Sequence, residues 1–248
     1  MDRALYIAMT GAKYNMVSQA SHSNNLANAQ TTAFKSDFAQ ARSMPVWGEH
    51  FPTRAYALTE RPGSDFNDGP LVETGNDLDI AIEGDGMFGV VDQLGNEAYS
   101  RRGDMTVTAL GELINGDGLQ MVGDGGPIVL PEFEKLHIGE DGVISIRPPG
   151  AGPEALVVVD QIKLVNPELN AMEKGTDGLF RVMNNNQQVL PADPALRVVS
   201  GFTEGSNVNA VNELTHILAL TRQYEIQVKM MKTTEDVSKA SEQILRIS

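Results

Sequence analysis

The chain has 248 residues, and 41% of them are hydrophobic, so it is long enough to bury a core in one large domain or two ordinary ones. Its formal net charge of −14 at pH 7 argues against a surface that wraps nucleic acid or lies on an anionic membrane. It contains no cysteine, which excludes disulfides, thiolate catalysis and thiolate metal sites.

The charge is distributed unevenly along the chain. Residues 1–44 carry four basic and two acidic groups, and residues 208–248 carry five of each. The middle, residues 45–207, holds ten basic and 26 acidic groups. An acidic centre between nearly neutral ends indicates a solvated central body flanked by terminal segments that pack against other protein surfaces.

The first predicted element is an N-terminal helix. The apolar run at 4–9 is shorter than the apolar core of a signal peptide and no convincing cleavage site follows it, so we expect the mature chain to begin here. Positions spaced alternately four and three apart then form a helical stripe that begins apolar and becomes polar. Its members are Leu5, Met9, Ala12, Met16, Gln19, Ser23 and Leu26.

After this helix we expect an irregular, extended connector over residues 36–75. This segment has little periodicity, and proline and glycine recur along it at Pro45, Gly48, Pro52, Pro62, Gly63, Gly69 and Pro70.

Residues 76–205 predict a central antiparallel β domain. Short apolar or alternating runs are separated by turn dipeptides such as Asp85-Gly86, Asp117-Gly118 and Asp177-Gly178. Many short strands without a helical period are typical of a sandwich or a barrel.

Residues 206–248 predict a second long helix. Ser206 or Asn207 offers an N-cap, and neither proline nor glycine occurs from there to the end. About 40 helical residues would span about 60 Å. The apolar stripe comprises Val211, Leu214, Ile217, Leu218, Tyr224, Val228 and Met231.

No motif predicts a catalytic, cofactor-binding or metal site. The run Gly84-Asp85-Gly86-Met87-Phe88-Gly89 fits G-x-G-x-x-G, but strand-like residues follow it where a dinucleotide site needs a helix N-terminus. The four histidines are scattered, and the acidic residues lack calcium-loop spacing. We therefore expect no enzyme and no cofactor. No apolar run approaches the roughly 20 residues of a membrane span, so we expect no membrane insertion.

Several stretches, in order along nearly the whole chain, resemble bacterial flagellar basal-body rod proteins, the axial family that also includes the hook proteins. The family's A-N-N-L-A-N-x-x-T-x-G-F-K is similar to residues 24–35, which read NNLANAQTTAFK. Further similar stretches are Gly84-Asp85-Gly86, Tyr99-Ser100-Arg101-Arg102-Gly103, Gly111-Glu112-Leu113, Glu204-Gly205-Ser206-Asn207-Val208 and Arg222-Gln223-Tyr224-Glu225. The short length, the opening residues 1–12 and the run at 125–131 favour the proximal rod type over the distal rod type, which stays an alternative.

The resemblance implies an α+β fold in which the two terminal helices form a coiled-coil-like layer of a hollow tube, with the β domain outside it. Residues 1–35 and 206–248 would make a discontinuous assembly domain. The partners it implies are proximal and distal rod subunits, copies of this chain and the flagellar type III export apparatus, with export of the unfolded chain into the periplasm-spanning rod without a cleaved signal.

We predict an assembly interface on these terminal segments, with the asparagines bonding a helix end or a neighbouring subunit. The predicted interface residues are Leu5, Met9, Met16, Asn24, Asn25, Leu26, Asn28, Phe34, Leu214, Ile217, Leu218, Tyr224, Val228 and Met231.

Two positions depart from the family pattern. Ala33 stands where the family has glycine, and a positive φ there would impose a steric cost. Met87 stands where an aromatic residue is common. Two other classes stay open, a β-domain protein that binds or hydrolyses glycans and a monomeric binding module with its helices packed on its own body.

Overall fold

The structure of the protein is a computed structural model that describes residues 2–48, 51–60, 63–150, 152, 155–183 and 189–247. The chain divides into two compact units. Unit 1 comprises Met1–Ala29, Ser36–Asp65 and Val208–Ser248, and unit 2 comprises Gln30–Lys35 and Phe66–Asn207. The predicted bounds differ from these units at residues 30–35, 66–75 and 206–207, which belong to unit 2, and at residues 36–65, which belong with the helices.

Unit 1 consists of two long helices and a β-hairpin. Its elements are α1 (Asp2–Ala27), β1 (Gln40–Trp47), β2 (Pro52–Glu60) and α2 (Ala210–Ile247). The helix prediction is confirmed at both ends of the chain. The N-cap of α2 is Asn209, because its Oδ1 accepts hydrogen bonds from the amides of Val211 and Asn212, at 3.1 Å each. The prediction of Ser206 or Asn207 as the cap is therefore wrong.

The hairpin corrects the prediction of an irregular connector. Strands β1 and β2 pair antiparallel from Gln40↔Glu60 to Trp47↔Pro52. Proline misled the prediction, because Pro45 lies in a two-stranded ribbon with an open edge and Pro52 lies at a strand start, the positions where a missing amide is tolerated. Strand β2 also lies on α1, where the Thr59 hydroxyl donates to the carbonyl of Tyr14 at 3.3 Å.

Unit 2 is built from short antiparallel strands, as predicted. They are β3 (Leu71–Glu73), β4 (Ile80–Glu83), β5 (Met87–Val91), β6 (Glu97–Ser100), β7 (Met105–Val107), β8 (Leu113–Asn115), β9 (Val122–Gly123), β10 (Gly126–Pro127), β11 (Lys135–Ile138), β12 (Val143–Arg147), β13 (Val157–Gln161), β14 (Leu164–Val165), β15 (Met172–Lys174), β16 (Phe180–Val182), β17 (Arg197–Ser200) and β18 (Phe202–Glu204), with a 3-10 helix at Leu169–Ala171.

The strands of unit 2 form several small sheets. The largest has the order β14–β5–β6–β16–β15, and β11–β12–β13 form a second. Four pairs complete the set, β3–β18, β4–β17, β7–β8 and β9–β10. Over the ranges that the structure describes, no sheet closes on itself, so the barrel alternative is wrong, and the sandwich alternative stays a prediction.

Two hydrophobic clusters hold unit 2 together. The larger is centred on fully buried residues such as Ile80, Phe88 and Ile144, and the smaller contains Met87 and Tyr99. Burying each such side chain contributes about 1.5–3 kcal/mol. Met87 thus fills a core position despite its departure from the family pattern.

The glycine-rich run at 84–89 is a turn followed by a strand. Gly84 has a φ of 75°, and β5 begins at Met87. This confirms that no helix N-terminus follows the glycines. In the described part of the chain, no helix is long and apolar enough to cross a membrane.

Candidate assembly surface

On α1, small and polar side chains make the contacts with α2. A Cβ on Gly11 of α1 would lie 3.0 Å from the Gln227 side chain of α2. A second contact between the helices is a hydrogen bond that Gln19 Nε2 donates to Thr221 Oγ1 at 3.4 Å. Small residues let two helix backbones approach closely. Because Gly11 and Gln19 make these contacts, the larger apolar residues of α1 are not needed for packing on α2.

A polar cluster joins the helices near the C-terminal end of α1. His22 Nδ1 lies 2.5 Å from Glu213 Oε2, and the His22 ring stacks on His216 with ring centroids 5.0 Å apart. Asn25 Nδ2 donates to the other oxygen of Glu213 at 3.5 Å. This cluster sets the register of α1 on α2.

The predicted apolar residues of α1 are exposed in the isolated chain. Leu5, Met9 and Met16 are 39%, 50% and 56% exposed. Tyr6 and Val17 widen the same apolar surface and are also exposed. None of them takes part in the hydrogen bonds or the ion pair described above between α1 and α2.

The predicted residues of α2 separate into two groups. Ile217, Tyr224 and Met231 are half-buried. Starting from Glu213, which contacts α1, they follow at intervals of four, seven and seven residues, so they lie on the side of α2 that faces α1. Three others, Leu214, Leu218 and Val228, are exposed by 50%, 54% and 41% and form a neighbouring stripe.

The asparagines after the α1 stripe bond within their own chain. Asn25 is 2% exposed, and its side chain donates to the carbonyl of Asp37 and accepts from the amide of Asp37, at 3.0 Å each. Asn28 Nδ2 donates to the carbonyl of Asn24 at 2.9 Å. Asn28 thus satisfies a backbone group at the end of α1, one of the two roles predicted for it, whereas Asn25 holds the backbone of Asp37, which lies beyond the helix.

The last two predicted residues lie on either side of the unit boundary. Leu26 is half-buried at the end of α1, in unit 1. Phe34 belongs to unit 2, where the Lys174 ammonium lies 3.9 Å from its ring centroid. Phe34 therefore belongs to a different unit from the exposed helix residues.

Four charged side chains of unit 2, which the sequence did not predict as a group, form what we call the ionic cluster: Lys35, Asp68, Arg101 and Glu204. Asp68 is half-exposed, and the other three are buried. Lys35 Nζ donates to Glu204 Oε1 at 2.8 Å, and Arg101 Nε donates to Glu204 Oε2 at 2.7 Å. Arg101 also bridges to Asp68 at 2.8 Å. Glu204 and Lys35 are 1% and 2% exposed, so the two charges are almost fully withdrawn from water.

The environment of Glu204 favours its ionised form. Burial alone opposes ionisation, but the charges of Arg101 and Lys35 and a hydrogen bond from the Gly69 amide outweigh it. The pKa of Glu204 consequently lies below its usual value. The only sequence signal for the cluster was that three of its members fall in stretches that resemble the flagellar family.

The two units differ sharply in charge. Unit 1 carries ten basic and ten acidic groups, and unit 2 carries nine basic and 23 acidic groups. The whole net charge of −14 therefore belongs to unit 2, and the unit with the exposed apolar helix faces is neutral.

Comparison with known proteins identifies the class. Residues 199–244 match the family model "Flagellar basal body rod FlgEFG protein C-terminal", and residues 81–146 match "Flagellar hook protein FlgE/F/G D1 domain". Both models describe axial proteins of the bacterial flagellum.

Individual relatives narrow the class further. The chain is 37% identical to the flagellar basal-body rod protein FlgF of Escherichia coli K12 and 37% identical to that of Salmonella typhimurium LT2, over the full length of both chains in each case. It is 30% identical to FlgF of Caulobacter vibrioides over 97% of each chain. The chain belongs to the FlgF-type family of flagellar basal-body rod proteins.

Proposed function

We propose that this chain, a structural subunit of the flagellar basal-body rod, polymerises through the exposed apolar faces of its terminal helices. The observation that carries this proposal is the pair of exposed stripes, Leu5–Met9–Met16 on α1 and Leu214–Leu218–Val228 on α2. Exposed apolar patches of this kind mark interaction surfaces.

The free energy gained by burying these side chains is adequate for such an interface. Each of these side chains is about half exposed already, so burying the remainder contributes on the order of 1 kcal/mol. Six of them from each subunit, with the matching residues of neighbours, would offset much of the loss of translational and rotational freedom on association.

A coiled-coil-like pairing of the two terminal helices would present the exposed stripes to neighbouring subunits. On α2 the α1-facing residues Glu213, Ile217, Tyr224, Gln227 and Met231 advance by four, seven, three and four residues, the spacing of a heptad pattern in which one position is skipped. We propose that α1 and α2 pair in this way as one discontinuous assembly domain, and that their exposed stripes pack on adjacent subunits as the inner layer of a tube.

The partners follow from this role. They are further copies of this chain and other proximal and distal rod subunits, and the chain would reach the rod through the flagellar type III export apparatus without a cleaved signal. Residues 24–35 would serve this role by fixing the end of α1, with Asn24, Asn28, Leu26 and Phe34 close to the junctions between subunits.

A charge placed in one stripe tests the proposal. Leu218→Glu puts an ionised carboxylate where the interface would be dry, and we expect purified basal bodies from cells that carry this variant to contain at least tenfold less of the chain. The matched control is Leu94→Glu, because Leu94 is 85% exposed in unit 2. Incorporation of Leu218→Glu at the control level would overturn the proposal.

A further inference from the structure

The chain passes between the two units four times, after residues 29, 35, 65 and 207. Three of these passages have a member of the ionic cluster within a few residues on the unit 2 side. Lys35 is the last residue before one passage, Asp68 follows the next closely, and Glu204 comes shortly before the last.

The ionic cluster ties the ends of these three segments together. The Lys35 ammonium donates to the carbonyls of Phe66 and Asn67, at 3.2 and 2.8 Å, as well as to Glu204. Glu204 Oε1 also accepts a hydrogen bond from the Gly69 amide at 3.0 Å. A single buried lysine–glutamate pair thus holds residues 30–35, 66–69 and 203–207.

Backbone hydrogen bonds continue the same connections. The Ala33 amide donates to the Glu204 carbonyl at 2.7 Å, and the Asn207 amide donates to the Phe34 carbonyl at 3.2 Å. The Gly205 amide donates to the Pro70 carbonyl at 2.8 Å. The segments also approach very closely, since a Cβ on Gly69 would lie 2.0 Å from the carbonyl oxygen of Gly205.

Arg101 anchors this assembly of segments to the β-sheet region. Its guanidinium donates to the carbonyls of Gly84 and Gly86 at 2.7 and 2.9 Å, in the turn that precedes β5. Four stretches that are far apart in sequence therefore meet at one buried charge group, with Lys35 and Glu204 separated by 169 positions.

We propose that the ionic cluster is a clamp that fixes on unit 2 the three segments through which the chain leaves for unit 1.

The ionic cluster depends most on the negative charge of Glu204. Replacing it with glutamine leaves Lys35 and Arg101 buried with only part of their compensation, and the cost falls where the three segments meet. We expect local opening at the exits, including the end of the β3–β18 pair, while the larger sheets and the β4–β17 pair stay closed.

The test is amide hydrogen exchange by NMR on the full chain as a dilute monomer. In Glu204→Gln, the amides of Ala33, Gly69, Gly205 and Asn207 should exchange about tenfold faster or more, and the amides of the β4–β17 pair should keep their wild-type rates. The matched control is Glu97→Gln, which breaks the ion pair of Glu97 with Lys163, 2.7 Å apart and 13% and 11% exposed. That control should leave the four reporter amides unchanged.

Two results would overturn the proposal. One is wild-type protection at all four reporter amides, and the other is a uniform loss of protection throughout unit 2. If Glu204→Gln does not fold, Asp68→Asn decides the question, because Asp68 is 48% exposed and pairs with Arg101. This milder change should speed exchange at the same amides by a smaller factor, and no change there would refute the clamp.

Because exchange is measured on a dilute monomer, its result is independent of the polymerisation proposed above.

Discussion

Ala33 has a φ of 57°, and among the residues that the structure describes it is the only non-glycine residue with a positive φ. Its amide is held by the hydrogen bond to the Glu204 carbonyl, so the strained conformation is imposed by the clamp region. A residue with a Cβ pays about 1–2 kcal/mol in the left-handed region. The structure confirms the steric cost expected at this departure from the family pattern.

Replacing Ala33 with glycine should stabilise the protein. The relief of strain exceeds the extra freedom of glycine in the unfolded chain, and we expect the free energy of unfolding in urea to rise by about 0.5 kcal/mol. Ala98→Gly is the matched control in strand β6, where glycine should lower the free energy by about 1 kcal/mol. Equal destabilisation by both changes would show that Ala33 is not strained.

Glu204 should give the protein a specific acid sensitivity. Because its pKa is lower in the folded state than in the unfolded chain, the stability that it contributes is fully present above the unfolded value. That contribution is lost as the pH falls below about 4.5 towards the folded pKa. Urea unfolding at a series of pH values should therefore show a shallower loss of stability in Glu204→Gln than in the wild type over this acid range.

The control for this pH series is Glu132→Gln, which removes a carboxylate from an exposed position of the same unit. It should keep the wild-type slope. If Glu204→Gln also keeps that slope, the electrostatic account of the cluster is wrong.

At the scale of elements, the contact between α1 and α2 depends on the absence of a side chain. Gly11→Leu would drive a branched side chain into Gln227, and we expect the middle of α2 to exchange its amide protons at least about tenfold faster in the monomer. Ala20→Leu is the control, because Ala20 is exposed on the same helix. Unchanged protection of α2 in Gly11→Leu would mean that the helices do not rely on this close approach.

The sequence predicted the elements with a strong period and missed those that depend on tertiary pairing. Both helices and the antiparallel character of unit 2 followed from periodicity and turn residues. The hairpin β1–β2 was missed, because its prolines are acceptable only on an open strand edge and that edge is a tertiary feature. The pairing of Lys35 with Glu204 could not be predicted either, since only the fold brings together residues 169 positions apart.

The exposed stripes illustrate the same limit. Helical spacing identified Leu5, Met9 and Met16 as a single face, and their exposure agrees with an interface outside the isolated chain. Periodicity could not show that α2 would pack against the small side chains around Gly11 instead. Packing, and not the periodicity of the sequence, decides which side of α1 contacts α2.

At the scale of the whole molecule, the separation of charge predicts that assembly depends on salt. All of the net charge lies in unit 2, so in the proposed assembly neighbouring copies would repel through that unit while the apolar faces of the neutral unit would attract. Raising the ionic strength from about 10 mM to 150 mM shortens the screening length from about 30 Å to 8 Å. Sedimentation velocity should show more association at the higher salt.

A variant with fewer negative charges on unit 2 tests the same salt dependence. Asp124→Asn with Glu132→Gln removes two exposed charges without touching either helix, and association at low salt should increase. Association that falls as salt rises would indicate attraction between charges, contrary to this account.

The most direct test of assembly through the terminal helices is the reactivity of single cysteines in monomers and in isolated basal bodies. The natural chain has no cysteine, so Met9→Cys, Leu218→Cys and, as the control in unit 2, Leu94→Cys each provide one thiol. We predict that maleimide modifies all three in the monomer, and that Met9→Cys and Leu218→Cys become protected in the basal body while Leu94→Cys stays reactive. Equal reactivity of the two helix positions in both states would contradict the account, because those faces would then remain in water after assembly.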